Sequence, residues 1–146
     1  MIRKALQEDM PEIMALIDSV FEEQQIPREW NPIPEEKLPQ WWCVEENGHI
    51  AGACALFREN DQWHMGRIGI AKDRRGKHLG TELLAYALKE IFSQDIDEIE
   101  LEARDTTVHI LQKYGAEITG EPVFFFTDNI TPLRITKQSY EDSVKH

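Results

Sequence analysis

The segment from Ile68 to Thr81 constrains the fold of this chain more than any other segment. It begins as an apolar run, passes through a loop that contains glycine and basic residues, and ends where apolar residues recur at helical spacing. The segment is therefore predicted as strand, loop and helix. A helix start exposes unpaired N–H groups and a partial positive charge, a combination that favours phosphate.

The glycines and bases of this loop strengthen that prediction. Gly76 and Gly80 leave room for an anion to approach the backbone, and Arg75 and Lys77 add positive charge. Gly69 lies inside the apolar strand, where glycine is unfavourable, and predicts a close approach of another backbone or a ligand. On these residues alone, a solvent-exposed glycine turn is the alternative. The Walker and GxGxxG phosphate-binding patterns are both absent.

The rest of the chain has a mixed α/β pattern. Asn47-Gly48 tolerates positive φ and predicts a type I′ hairpin. Asp9 is predicted to cap the first helix, and Asp105 to cap a short helix that ends at Tyr114 with Gly115 in the C′ position. Strands are predicted over 1–6, 42–46, 49–58, 63–70, 99–103, 123–126 and 133–137, and helices over about 10–21, 79–91 and 105–114, with one helical turn around 35–38.

Composition and charge exclude several classes of function. The formal net charge of −11 disfavours nucleic-acid binding, because a basic face supplies most of the affinity for phosphates. No apolar run reaches the ~18 residues that span a bilayer, and no signal peptide is visible, so a cytoplasmic protein without membrane contact is expected. Cys43 and Cys54 lack metal-binding spacing and are expected to be reduced core residues, with no metal site. One domain is expected over residues 1–146.

Three short motifs resemble those of a known family. Residues 75–80, Arg-Gly-Lys-His-Leu-Gly, resemble the R/Q-x-x-G-x-G/A signature of the GNAT superfamily of N-acetyltransferases. Residues 20–27 are similar to the VFxEEQxIP segment of its ElaA-like branch, and residues 120–124 are similar to the GExF strand of that branch. The predicted order of elements fits this family over nearly the whole chain.

The resemblance implies an α/β (α+β) fold with a mixed, mostly antiparallel sheet, helices on both faces, and fourth and fifth strands that splay apart. It implies acetyl-CoA (coenzyme A) as co-substrate, with the pantetheine arm in the splay and the pyrophosphate on backbone amides of the loop. The implied reaction is direct attack of a primary amine on the thioester, with the N–H of Ile68 stabilising the oxyanion. The implied cofactor-binding residues are Ile68, Gly69, Ile70, Arg75, Gly76, Lys77, His78, Leu79, Gly80 and Thr81.

The proton-transfer half of the site departs from the family pattern. Related enzymes carry FYxKxGF in the short helix, and its tyrosine is expected to protonate the leaving thiolate. Counting back from Gly115, Leu111 occupies that position, and Tyr114 is interpreted as a packing residue. The glutamate of the branch's ERIxV strand is replaced by Gly66, and the histidine of its GIPH motif is absent from residues 129–132.

Other residues are therefore candidates for the acid–base and acceptor-binding roles. Glu102 is the candidate general base, since it lies on the strand that enters the expected splay. Glu23 and Glu29, near the first helix and the loop after it, are candidates for the same role and for acceptor binding. A solvated surface carboxylate is the alternative for each. Trp30, Trp41 and Trp42 either wall an acceptor pocket or pack over the core.

The leading hypothesis is an acetyl-CoA-dependent N-acetyltransferase that acts on a small-molecule or peptide amine. The alternative is a GNAT-fold module that binds acyl-CoA with little or no turnover, which the missing tyrosine, glutamate and histidine favour. Nucleic-acid binding through residues 74–77 is a third hypothesis, disfavoured by the acidic charge balance. The apolar run Val123–Phe126 predicts a possible homodimer, in which it would join a partner's sheet.

Overall fold

The computed structural model describes residues 1–145, which form one mixed sheet flanked by helices. Loops and short 3₁₀ turns connect the elements. The strands are β1 (Ile2–Lys4), β2 (Gln40–Glu46), β3 (His49–Glu59), β4 (Gln62–Ile70), β5 (Glu98–Ala103), β6 (Glu117–Ile118), β7 (Val123–Phe125) and β8 (Asp128–Thr136). The α-helices are α1 (Met10–Glu23), α2 (Leu79–Phe92), α3 (Asp105–Gln112) and α4 (Lys137–Ser143).

The strands lie in the order β1-β2-β3-β4-β5-β8-β6, and β7 pairs with the first residues of β8. All of these pairs are antiparallel except β4 with β5, which are parallel because α2 carries the chain back across the sheet. These two strands share one paired position, His64 with Glu100. Beyond it they separate, and a gap opens beside Ile68. The predicted sheet, with splayed fourth and fifth strands, is confirmed.

Different helices cover the two faces of the sheet, as predicted. On one face α1 buries Ile13 and Ile17 against Trp41, and on the other α2 buries Leu83 in the same cluster as Trp42. Neighbouring residues of a strand point to opposite faces, so the two tryptophans enter different halves of the core. Trp41 is 7% exposed and Trp42 is fully buried. The interpretation of Trp41 and Trp42 as pocket walls is therefore wrong.

A β-bulge interrupts β4 at the start of the gap. Ala53 pairs with Gly69 and Ala55 pairs with Gly66, so Arg67 and Ile68 together lie opposite one residue of β3. Arg67 has a φ of +52°, a left-handed value that residues with a Cβ seldom adopt. A bulge bends its strand and re-aims its side chains. Here it turns the Arg67 side chain toward the loop that follows α1.

Several predicted turns and helix ends are confirmed and others are wrong. Asn47 and Gly48 both have positive φ, as the type I′ hairpin requires. Asp9 is at the N-cap position of α1 as predicted, but its carboxylate does not cap that helix: it accepts the N–H of Leu6 at 2.7 Å. Asp105 is the first residue of α3 rather than its cap, and that helix ends at Gln112, two residues before Tyr114. Gly115 has a φ of +91° and faces the carbonyl of Ser139, so no Cβ fits there.

The C-terminal region differs most from its prediction. β8 begins at Asp128, five residues before the predicted start, and it includes Pro132, a residue that is unfavourable inside a strand. In the structure Pro132 pairs with Glu102 of β5, and its carbonyl accepts the N–H of Thr119. The sequence analysis missed β6 and also α4, which Thr136 caps by accepting the N–H of Ser139 at 3.0 Å. Dimerisation through β7 stays a prediction.

Other expectations concern the cysteines, metals and membrane spans. Cys43 and Cys54 are buried and not disulfide-bonded, so core thiols are confirmed. Residues 1–145 contain no cluster of His, Cys, Asp or Glu that could hold a metal ion. None of the helices in this range is long and apolar enough to cross a bilayer.

Candidate active site

The start of α2 presents a row of free backbone amides. His78 precedes the helix with a left-handed φ of +63°, and its carbonyl accepts the N–H of Glu82 at 3.1 Å. The amides of residues 75–81 donate to no other group among residues 1–145. Such a series of unpaired N–H groups at a helix N-terminus carries partial positive charge and suits an anion.

These amides border a cavity of about 620 Å³, called here the loop cavity. The segment 68–70 of β4 forms one wall and the start of α2 forms another. Of the ten residues predicted to bind the cofactor, Lys77 alone does not line this cavity, and its side chain is exposed. The loop cavity is lined by the predicted residues Ile68, Gly69, Ile70, Arg75, Gly76, His78, Leu79, Gly80 and Thr81.

Gly80 and Gly69 lie on the two walls of the loop cavity, and the structure gives a different reason for each glycine. A Cβ added to Gly80 would have its nearest neighbour, Ile70 Cγ1, at 3.7 Å, so the protein itself leaves that space open. A Cβ on Gly69 would lie 3.0 Å from Val20 and 3.1 Å from Ile17. Gly69 therefore allows α1 to pack closely on β4. The expected close approach of a backbone or ligand at Gly69 is instead an approach of helix side chains.

Arg75 is paired with an acid of this protein. Its guanidinium bonds both carboxylate oxygens of Glu23 at 2.7 and 2.9 Å, and its Nε donates to the carbonyl of Ile70 at 3.0 Å. The Arg75 side chain holds the pKa of the Glu23 carboxyl below its ordinary value. Glu23, predicted to bind the acceptor, thus lines the loop cavity and ties the end of α1 to the loop.

A second cavity of about 620 Å³, called here the aromatic cavity, lies on the other side of Ile68. Trp30, Phe57 and Phe125 supply its aromatic wall, and Glu29 and Glu102 lie on its lining as candidate acidic groups. Trp30 packs against Phe125 with ring centroids 6.2 Å apart. The two cavities meet in the splay, where both are lined by Val20, Gln24, Ile68, Arg104 and Thr107.

The sequence analysis missed two polar residues of the aromatic cavity. His64 lies on β4 with its ring stacked 6.0 Å from that of Phe57. Arg67 donates from Nη2 to the carbonyl of Trp30 at 2.7 Å and from Nε to that of Asn31 at 3.1 Å. Burial lowers the pKa of Arg67. No local motif marks His64, and the ERIxV resemblance covers Arg67 without indicating a role for it, because the bulge and the loop after α1 bring its guanidinium to the cavity.

Leu111 does not take the place expected for it. Its side chain is fully buried in the core and lines neither cavity. On α3, Ile110 and Thr107 face the loop cavity instead, one turn apart on the helix. The expectation that Leu111 stands at the reacting thiolate is wrong, since that face of α3 packs on the sheet. Tyr114 is half-buried, with its ring 6.4 Å from that of Tyr140, as expected of a packing residue.

Comparison with known proteins decides the family. The family model for the GNAT acetyltransferases matches residues 2–116. The chain belongs to this family. Acetyl transfer to an amine is the general reaction of GNAT enzymes, and they typically use acetyl-CoA. The predicted family is thereby confirmed.

The individual relatives have low sequence identity to this chain. A Bacillus subtilis (strain 168) protein, named as a candidate ribosomal protein bS18-alanine N-acetyltransferase, is 25% identical over 103 residues, 68% of each chain. The crystal structure of Escherichia coli ElaA matches with a TM-score of 0.77 and 14% identity, over 92% of this chain and 99% of ElaA. A Pseudomonas aeruginosa acyl-CoA N-acyltransferase matches with a TM-score of 0.76 and 17% identity, over 93% and 97%. At these identities the structures show a common fold.

Proposed function

We propose that this protein transfers the acetyl group of acetyl-CoA to a primary amine by direct attack. One observation carries the proposal: the loop cavity, with its row of free amides, meets the aromatic cavity at Ile68 inside the splay. A thioester that reaches from the first cavity would present its carbonyl to an amine in the second. Holding two reactants in this way lowers the entropic part of the barrier.

The loop supports coenzyme A through backbone rather than through side-chain charge. The amides of residues 75–81 would receive the pyrophosphate, in the space that Gly80 leaves open. The pantetheine arm would lie along residues 68–70, where β4 has no strand partner on the side of β5. The N–H of Ile68, beside the bulge, is the proposed oxyanion donor.

The chemistry then needs one group to remove a proton. The amine nitrogen forms a bond to the acetyl carbon, the carbon–sulfur bond breaks, and the thiolate leaves with the electron pair. The proton of the amine passes to Glu102, which lies on the aromatic cavity beside the splay. His64, on the same cavity, is the second candidate for this role. A coenzyme A thiol resembling cysteine has a pKa near ~8.5, so the thiolate can leave without a dedicated acid.

An acyl-CoA-binding module with little or no turnover is the second candidate function. The specific observation in its favour is that neither cavity is lined by a tyrosine or cysteine among the residues described. Both functions require the same cofactor contacts and differ in the fate of the thioester. In either case we place the protein in the cytoplasm, in keeping with its two unbonded buried thiols.

Thiol release separates these two functions. Wild-type protein mixed with acetyl-CoA and a panel of primary amines is expected to release coenzyme A faster than it does without amine. Glu102→Gln should lower kcat by about 10²-fold without changing the affinity for coenzyme A. Glu100→Gln, on the same strand but outside both cavities, is the matched control. Tight coenzyme A binding with no amine-dependent release would establish the binding module instead.

A further inference from the structure

The charges of the aromatic cavity bear on what kind of amine it accepts. Arg67 lies on this cavity and has no carboxylate within 4 Å among residues 1–145. The acid on that cavity that interacts with it, Glu59, is already bonded to Lys37 at 2.6 Å. By contrast Arg75, on the loop cavity, is neutralised by Glu23. In a chain with 27 acidic residues, Arg67 therefore lies beside the cavity without an ion-pair partner among residues 1–145.

Arg67 is also held in one position. Two carbonyls, of Trp30 and Asn31, accept its Nη2 and Nε, and its guanidinium carbon lies 5.3 Å from the centre of the Phe57 ring. Its Nη1 donates to no group in residues 1–145. The left-handed φ of this residue is a cost that the two hydrogen bonds offset. A fixed, partly buried guanidinium with free donors suits a carboxylate.

A second arginine lies at the junction of the two cavities. Arg104 donates from Nη2 to the hydroxyl of Thr127 at 2.7 Å and has no carboxylate within 4 Å in the described chain. The aromatic cavity also carries the acids Glu29 and Glu102, and an aromatic wall that includes Phe125. The lining thus offers cations for one end of a ligand, acids for another and an apolar surface between them.

We infer that the acceptor is an α-amino acid with an apolar or aromatic side chain, whose carboxylate is bound by Arg67. The inference rests on the proposed function for the transfer itself, although binding can be tested without turnover. Such an acceptor carries no net charge, so the −11 of the protein does not repel it as it would a simple anion. A peptide N-terminus would lack the neighbouring carboxylate.

Calorimetry on protein saturated with coenzyme A tests this inference, with L-phenylalanine and phenethylamine as probes. L-phenylalanine is expected to bind about 10- to 100-fold more tightly than phenethylamine, the range for a charge-assisted, partly buried contact. Arg67→Met should remove that preference, and Arg67→Lys should keep part of it. Arg58→Met is the matched control, because Arg58 packs over Trp63 outside both cavities.

Each outcome decides the inference. Equal or tighter binding of phenethylamine, the same preference in Arg67→Met as in wild type, or no binding of L-phenylalanine would overturn it. If Arg67→Met does not fold, the test uses the ratio of the L-phenylalanine affinity to the phenethylamine affinity, measured in wild type and in Arg67→Lys. A ratio that is unchanged in Arg67→Lys would overturn the inference. L-phenylalanine that binds in an Arg67-dependent way but is not acetylated supports the amino-acid site at Arg67 and removes the proposed transfer. Acetylation of phenethylamine without any preference for L-phenylalanine removes the inference alone.

Discussion

The loop cavity and the aromatic cavity are alike in volume and meet at Ile68, yet different kinds of residues form them. The loop cavity depends on consecutive backbone amides at the start of α2, within residues 75–81. The aromatic cavity depends on side chains that come from Trp30, Phe57, Glu102 and Phe125, each on a different element. A site made of consecutive amides tolerates many side chains, whereas a site made of distant side chains is specific to one sequence.

The arginines of the two cavities also have different bonding partners. Arg75 of the loop cavity is tied to Glu23, so little of its charge is free for a ligand. Arg67 of the aromatic cavity is tied to neutral carbonyls and keeps its charge. We therefore expect affinity for coenzyme A to depend mainly on backbone, and choice of acceptor to depend mainly on side chains. The following substitutions test this difference.

Gly80→Asp should have the largest effect. A carboxylate at the free amides repels phosphate and fills the open space, so coenzyme A affinity should fall by more than ~100-fold. Gly80→Ala should bind nearly as wild type does if the added methyl remains clear of the ligand, since the protein has room for it. Ser93→Asp adds the same charge at the other end of α2 and should change little. Unchanged affinity of Gly80→Asp by calorimetry would contradict a backbone site here.

Trp30→Ala should affect the aromatic cavity and leave the loop cavity unchanged. Trp30 is half-exposed and packs on Phe125 and Phe126, so its removal opens the aromatic wall without cutting into the core. The KM for an aromatic acceptor should rise by about 10-fold, the scale of one lost aromatic contact, while the KM for acetyl-CoA stays the same. Phe124 is exposed on β7, next to Phe125, but it does not line the aromatic cavity, so Phe124→Ala is the control. An equal rise in both KM values would show that the cavities are not separate.

Glu23→Gln should have the smallest effect and the opposite sign. Without its carboxylate partner, Arg75 is free to face the phosphates, and coenzyme A should bind about 2- to 5-fold more tightly, as the weakness of exposed ion pairs suggests. Because Arg75 lowers the Glu23 pKa, the ion pair is fully present above the ordinary value of 4.5 and is lost as pH falls through the lowered pKa. The two proteins should therefore differ at pH 7 and converge in acid. Weaker binding by Glu23→Gln at pH 7 would mean that the pair supports the site.

The contrast between the cavities also explains what the sequence could predict. The loop between β4 and α2 is contiguous, so glycine spacing and a helix start were enough to predict where free amides would lie. Asn47-Gly48 fixed its hairpin for the same local reason. The ERIxV resemblance covers Arg67, but its place on the aromatic cavity could not be recognised, because that place depends on a bulge and on carbonyls that lie about 36 residues away along the chain.

Errors in the prediction share one physical cause, which is tertiary packing. Leu111 was assigned to the reacting centre by counting from Gly115, but the turn of α3 that carries it faces the sheet. Acceptor binding by Glu23 stays a prediction, but its ion pair with Arg75 was not foreseen, because it forms only where the end of α1 lies over the loop. Pairing with β5 overrode the local preference of Pro132 and extended β8.

The central claim, that backbone amides at the start of α2 hold coenzyme A, is tested most directly by amide NMR. In a titration of the ¹⁵N-labelled protein with coenzyme A, the amide signals of residues 75–81 are expected to shift most and to become protected from hydrogen exchange. Residues that line only the aromatic cavity, such as Glu29, should respond to an acceptor amine but not to coenzyme A. Saturable binding of coenzyme A that leaves the amides of residues 75–81 unshifted and unprotected would contradict the claim.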